Sequence, residues 1–182
     1  MRRGRLNSFR LPLLRVRPMA GNRARGWLTA GPLRVPCALG PAGIVRLKRE
    51  GDQGTPAGRF RLLWGYCRLD RARPPAGGVR LKPMRPDQGW CEDPASPRYN
   101  RPVRLPAADA TDRMWRHDHL YDVTFVLDQN FTRRAKGRGS AIFFHLAREG
   151  LTPTMGCVAI SAADMRKLAP RLSQGAVIEI GG

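Results

Sequence analysis

Residues 140–175 read SAIFFHLAREGLTPTMGCVAISAADMRKLAPRLSQG, and this stretch decides the fold class. Ala141–Leu146 and Cys157–Ile160 are short, largely apolar runs separated by Gly150, Pro153 and Gly156, the pattern of buried strands. One helix follows them. Ser161 caps it, Asp164 stands three residues on as in a capping box, and Met165, Leu168 and Leu172 make its apolar stripe. Gly175 is expected to stop the helix, and Pro170 to shorten its last turn.

Outward from this stretch the short-run pattern continues, because 16 prolines and 20 glycines cut the chain into small pieces. Further strands are expected at Leu13–Arg17, Gly26–Ala30, Leu33–Leu39, Arg59–Arg68, Val79–Lys82, His119–Leu127 and Ala176–Ile180. Along His119–Leu127, Tyr121, Val123, Phe125 and Leu127 alternate with Asp122, Thr124 and Val126, which predicts one drier face. The proline-rich stretch Arg71–Pro106 reads as a long loop kept in order by Trp90 and Tyr99. The sum is a mainly β chain, a sandwich or partly closed barrel, with one helix late in the sequence. Residues 1–10 read as a basic, flexible N-terminal segment and residues 11–182 as one domain. Asn7–Gly31 reads as a loosely attached first hairpin.

An apolar content of 42% in 182 residues fits a globular chain with a real core. Thirty-three Lys and Arg against 14 Asp and Glu give a net charge of +19, which attracts anionic polymers and surfaces. The cations are scattered, with no basic helix and no aromatic-plus-basic signature, so nucleic acid is not the expected partner. An Arg-rich, simply solvated surface explains the charge equally well. Cys37, Cys67, Cys91 and Cys157 contain no CxxC pair, which argues against redox motifs and zinc ribbons. Leu11–Leu14, interrupted by Pro12, is too short for a signal-peptide core or a membrane span. On that ground the chain reads as soluble, unexported and without a transmembrane segment.

The chemistry centres on His145 and Cys157. A histidine is out of place in the apolar run Ala141–Leu146, and a buried imidazole needs a partner. Gly156 before Cys157 lets the backbone turn tightly and a substrate carbonyl approach. A cysteine nucleophile needs a base, because the thiolate attacks rather than the thiol. The residues between them, with Gly150 and Pro153, suffice to fold back, and backbone N–H groups beside Cys157 are available to an oxyanion. On spacing alone the plainer reading is a buried cysteine acting as a small hydrophobe and a satisfied core histidine. His117 and His119 with Cys67 and Cys91 lack metal-ligand spacing, so a zinc site is not expected. Cys91 has no base near it in sequence.

The block His145–Ile160 resembles the catalytic segment of YkuD-type L,D-transpeptidases, in which a histidine precedes a Ser/Thr-x-Gly-Cys element; Thr154, Gly156 and Cys157 match it. Met155 stands where many members carry a second histidine, and Ala159 where they often carry Asn or Arg. Lys48–Asp52 followed by Thr55–Phe60 is similar to the family's TPxGxF region. Asp87–Pro94, Tyr99–Arg101, His119–Asp122 and Gly137–Ile142 resemble a compact branch with a GCVA-type nucleophile element. The matches keep their order over roughly residues 33–172.

The resemblance implies an L,D-transpeptidase-like fold with the helix after the nucleophile. It also implies covalent catalysis on peptidoglycan stem peptides without metal or organic cofactor, and that substrate favours the periplasm over an unexported chain; a monomer is expected. Cys157 would attack at the L-centre of diaminopimelate, with His145 as base and Gly156 in the nucleophile element. A second stem's amine would resolve the thioester; water would give carboxypeptidase activity. The altered Met155 and Ala159 leave open a 1,3-type link through the L-Ala carbonyl. Trp90, Tyr99, Asn100, Arg101, His119, Ser140 and Thr154 are the expected substrate-binding residues. The resemblance further implies that a backbone carbonyl, here from the Gly139–Ser140 turn, orients the histidine. The rival from another class is a non-catalytic basic binder of anionic polymers.

Overall fold

The computed structural model describes residues 10–71 and 73–181, so the expected flexible segment lies, apart from Arg10, outside the described residues. The first half holds β1 (Leu11–Met19), β2 (Asn22–Ala30), β3 (Leu33–Ala38), β4 (Ile44–Val45), β5 (Thr55–Pro56), β6 (Gly58–Cys67) and β7 (Leu81–Pro83). Then come β8 (Gln88–Cys91), β9 (Arg101–Arg104), β10 (Thr111–Arg113), β11 (Val123–Leu127) and β12 (Phe143–Leu146). β13 (Val158–Ile160), helix α1 (Ala162–Leu168) and β14 (Leu172–Ile180) complete the order.

The main sheet runs β11-β12-β13-β3-β2-β1-β14-β6 and closes, because β6 also pairs with β11. The length of β6 makes closure possible: Gly58–Arg61 pair with β14, and Leu62–Cys67 pair with β11. A closed ring leaves no long edge open to another chain. The mainly β barrel with one helix is therefore present. Leu14, Val16, Leu28, Phe125, Phe144, Val158, Ile160 and Ile178 form its main apolar cluster, joined by Met165 and Leu168 of α1. Each such side chain contributes roughly 1.5–3 kcal/mol on burial.

A second apolar cluster forms where the small sheet β10-β8-β9 meets the barrel. Trp90, Met114, Tyr121, Val126 and Phe143 fill it, with Trp90 and Tyr121 edge-on to Phe143 at 5.0 and 5.7 Å. This cluster corrects two expectations. Arg71–Pro106 is not one loop, since besides β7, which overlaps the expected strand Val79–Lys82, it holds β8 and β9, whose four residues each are too short to show a period. Nor does β11 have a wet face: Val123, Phe125 and Leu127 enter the main cluster and Val126 the second. His119–Asp122, expected in that strand, forms a turn in which the Asp122 N–H donates to the His119 carbonyl at 3.1 Å.

Two further expectations change. Over its described residues the first hairpin is integral to the barrel, because β1 pairs with both β2 and β14 and β2 pairs with β3. The helix is capped as expected, Ser161 Oγ accepting from the Asp164 N–H at 3.0 Å, yet it ends at Leu168. Pro170 sits in a 3-10 turn and Leu172 opens β14, so Gly175, at φ 72, serves an irregularity in a strand and not a helix stop.

Candidate active site

β12 and β13 are parallel neighbours, with His145 opposite Ala159. Cys157 precedes Ala159 by two residues, so its Cα lies one strand (~4.8 Å) across and two residues (~6.6 Å) along from that of His145. The connection is a short crossover through a 3-10 turn at Glu149–Leu151, anchored where the Ala147 N–H donates to the Ile160 carbonyl at 2.7 Å. Both side chains line one cavity of about 250 Å³ at the boundary of the second apolar cluster.

The Thr-x-Gly-Cys element has a geometric basis. Thr154 Oγ1 donates to the Cys157 carbonyl at 2.7 Å and accepts from the Gly156 N–H at 3.1 Å. The Thr154 N–H ties the loop to the Leu39 carbonyl at 3.0 Å. Gly156 has φ 125, and a Cβ there would stand 2.7 Å from the Gly54 carbonyl oxygen. No other residue fits without moving backbone.

Cys157 is 6% exposed. It donates to the Ala141 carbonyl at 3.2 Å and accepts from the Phe143 N–H at 3.3 Å. Burial pushes its pKa up to about 12; the Phe143 N–H and Lys48 pull it down, while Asp112 and Glu92 push it further up. His145 is 4% exposed, and burial pushes its pKa down to about 4. Its Nδ1 lies 2.8 Å from the Leu146 carbonyl, an arrangement that favours the proton on Nδ1 and Nε2 as the basic nitrogen, and the Leu146 and Leu120 backbones together pull the pKa up against burial. Tyr121 packs edge-on against the imidazole at 5.2 Å. At neutral pH the pair therefore rests as thiol and neutral imidazole. The orienting carbonyl is that of Leu146, next in the same strand, and not one from the Gly139–Ser140 turn. Ser140 faces elsewhere, donating through Oγ to Glu50 at 2.8 Å.

Most of the expected substrate-binding residues lie behind the cavity wall. Asn100 is buried, and its Oδ1 accepts from Trp90 Nε1 at 2.9 Å and from the Ala141 N–H at 3.1 Å. Its Nδ2 donates to the carbonyls of Gln129 and Asn130 at 3.2 and 2.8 Å. Ala141, held this way at φ 51, is the residue whose carbonyl receives the thiol. Tyr99 is buried and donates through its hydroxyl to Glu50. Arg101 donates to the Asn100 and Phe131 carbonyls, both at 2.9 Å, and covers the Phe131 ring. None of Trp90, Tyr99, Asn100, Arg101 and Ser140 lines the cavity, and their polar side-chain atoms find partners inside the protein. His119 is exposed, off the cavity, with Nδ1 2.7 Å from Asp122. Thr154 does line the cavity.

The wall also carries groups the sequence did not single out. Glu92, Asp112, Arg116, Tyr121 and Arg148 line it, and Met155, 72% exposed, stands at its mouth with Ala159 further in. Burial pushes Glu92 up to about 7, helped by the Asp112 and Glu50 carboxylates. Asp112 is also raised by burial, against a hydrogen bond of 2.7 Å from the Tyr121 hydroxyl. Arg116 and Arg148 both pair with Asp118, at 2.7 and 3.1 Å. Glu92 and Tyr121 lie in segments already marked by resemblance, but an isolated charge in irregular chain has no period to expose it. Among the described residues no group of three or more His, Cys, Asp or Glu converges as a metal site.

The sequence profile of the YkuD L,D-transpeptidase catalytic domain matches residues 24–180. No curated protein matches the chain. Among the described residues no helix is long and apolar enough to cross a membrane.

Proposed function

The chain belongs to the YkuD family of L,D-transpeptidase catalytic domains, whose substrate is peptidoglycan, and from this premise we propose that it crosslinks stem peptides through a thioester on Cys157. The observation that carries this reading is a hydrogen-bonded thiol and a neutral, carbonyl-oriented imidazole opening on one cavity from adjacent parallel strands.

In the mechanism, the donor carbonyl enters beside Cys157 and Nε2 of His145 takes the thiol proton as sulfur attacks. The transfer is coupled to attack, because burial disfavours both a free thiolate and a free imidazolium. The Gly156 N–H is engaged by Thr154, so the oxyanion falls to the Cys157 N–H. The imidazolium then protonates the departing amine of the terminal D-alanine, leaving the thioester. Arg116 and Arg148 face the stem's carboxylates. A second stem's amine attacks the thioester to form a 3-3 link at diaminopimelate; water in its place gives carboxypeptidase activity.

A second reading, a 1,3-type link with the L-Ala carbonyl as donor, is favoured by Met155 and Ala159, which line the cavity where many members carry His and Asn or Arg. Because peptidoglycan is crosslinked outside the cytoplasmic membrane, the reading assigns the enzyme to the periplasm, and it takes the enzyme to act as a monomer. Mass spectrometry of products from defined muropeptides tests donor, acceptor and reaction type together. A carbapenem should add its mass to the wild type and not to Cys157→Ala. Unchanged muropeptides, together with polymer binding that is steeply salt-dependent and survives Cys157→Ala, would instead establish a non-catalytic basic binder.

A further inference from the structure

Glu92 follows β8 directly, its N–H donating to the Ala110 carbonyl at 2.9 Å, and its side chain lines the same cavity as Cys157 and His145. The other charged groups on that wall are engaged. Arg116 pairs with Asp118 and Asp112, Arg148 pairs with Asp118, and Asp112 accepts from the Tyr121 hydroxyl. Among the described residues the Glu92 carboxylate has neither a hydrogen-bond nor an ion-pair partner. An unpaired carboxylate against an apolar cluster is costly, and a cation arriving from solution relieves the cost.

The second half of the reaction brings such a cation. The acceptor amine arrives as an ammonium of pKa ~10.4, so at pH 7 roughly one molecule in 2,500 is a free nucleophile. An ammonium must lose two protons to become an amide nitrogen. His145 is positioned to take only one of them. We propose that Glu92 binds the acceptor's ammonium and takes its first proton, leaving His145 to take the second as the C–N bond forms. This inference rests on the transpeptidase reading above.

The steps balance. The ammonium passes one proton to the Glu92 carboxylate, which later releases it to solvent through the cavity mouth. The amine's lone pair attacks the thioester carbon, and His145 Nε2 takes the remaining proton. The C–S bond then breaks, and the imidazolium returns that proton to the Cys157 sulfur. The groups facing Glu92 are the carboxylates of Asp112 and Glu50, with Arg116, Arg148, Tyr121, His145 and Cys157 on the shared wall. The acidic neighbours and burial bring Glu92 up to about 7, where it accepts and releases a proton at neutral pH.

The test is the ratio of crosslinked to hydrolysed product from a defined donor stem peptide, which does not depend on the rate of acylation. Two acceptors are compared: a stem peptide with an ordinary side-chain amine, and a simple amine of pKa near 7. Glu92→Gln should lower the ratio at pH 7 roughly a hundredfold for the first and leave it unchanged for the second. The deficit should close as pH rises toward ~10, where the ordinary amine is already free. An unchanged ratio with the ordinary amine overturns the inference, and so does an equal fall with both amines, which marks a structural role. The wild type alone also decides. With Glu92 as base its ratio levels off above pH about 7, whereas without that base it climbs about tenfold per unit up to ~10. Absence of any Cys157 thioester in the wild type overturns the transpeptidase reading, and this inference with it; a thioester with the wrong pH profile overturns this inference alone.

Discussion

Replacing Asn100 with alanine removes one amide from which four hydrogen bonds radiate, and it should unsettle Cys157 from behind. Oδ1 serves Trp90 Nε1 and the Ala141 N–H, and Nδ2 serves the carbonyls of Gln129 and Asn130. Truncation strands two buried donors at ~1–3 kcal/mol each and weakens two carbonyls, for a total of about 3–5 kcal/mol. That is a large part of the ~5–15 kcal/mol that stabilises a typical domain. The loss has a local consequence too. Ala141 is held at φ 51, and without Asn100 its backbone relaxes and its carbonyl leaves the Cys157 thiol. Urea denaturation should show the stability loss, and peptide-mapped alkylation with iodoacetamide should show Cys157 reacting at least about tenfold faster through local opening. Asn100→Asp keeps the shape but sets a carboxylate against two carbonyls. Burial raises that carboxyl's pKa, so its penalty is full at high pH and fades as pH falls through that pKa. A loss under about 1 kcal/mol with unaltered alkylation of Cys157 would refute the role given to Asn100.

Gly156→Ala places a methyl 2.7 Å from the Gly54 carbonyl at φ 125; turnover on muropeptides should drop about a hundredfold or more, with a lower melting temperature. Alkylation of Cys157 in the free enzyme should be slow and climb about tenfold per pH unit from pH 6 to 9, levelling off only toward pH about 12, as read by intact mass; a rate already level across pH 6 to 9 would mean a preformed thiolate–imidazolium pair. His145, held down to about 4 from 6.5, contributes stability that is full above pH 6.5 and is lost as pH falls toward 4, roughly 3 kcal/mol in all. Glu92 has the opposite sign. With its folded pKa raised from 4.5 to about 7, it destabilises the fold increasingly as pH rises through that window. Glu92→Gln should therefore melt higher than wild type at pH 8, by the equivalent of about 2–3 kcal/mol, and equal it at pH 4. Calorimetry over pH 4–8 checks both, and a Glu92→Gln advantage that does not vary with pH would remove Glu92 from that account.

The sequence by itself determined what is local. Runs such as Ala141–Leu146 and Cys157–Ile160, and the Ser161–Asp164 cap, were legible because a period or a cap is written in neighbouring residues. His145 and Cys157 were legible as a pair only through the order of several matching segments, since spacing cannot say whether two strands lie side by side. Tertiary structure alone decided that β6 closes the barrel, that β12 and β13 run parallel, and that the small sheet packs into the apolar cluster that holds Cys157. It also sets Trp90, Tyr99, Asn100 and Arg101 off the cavity lining, and brings Glu92 and Asp112 to it. The physical reason is common to all of these. Burial and the pairing of polar groups are properties of what surrounds a side chain in space, and residues as far apart as Glu92, Asp112 and Cys157 become neighbours only once the chain has closed on itself.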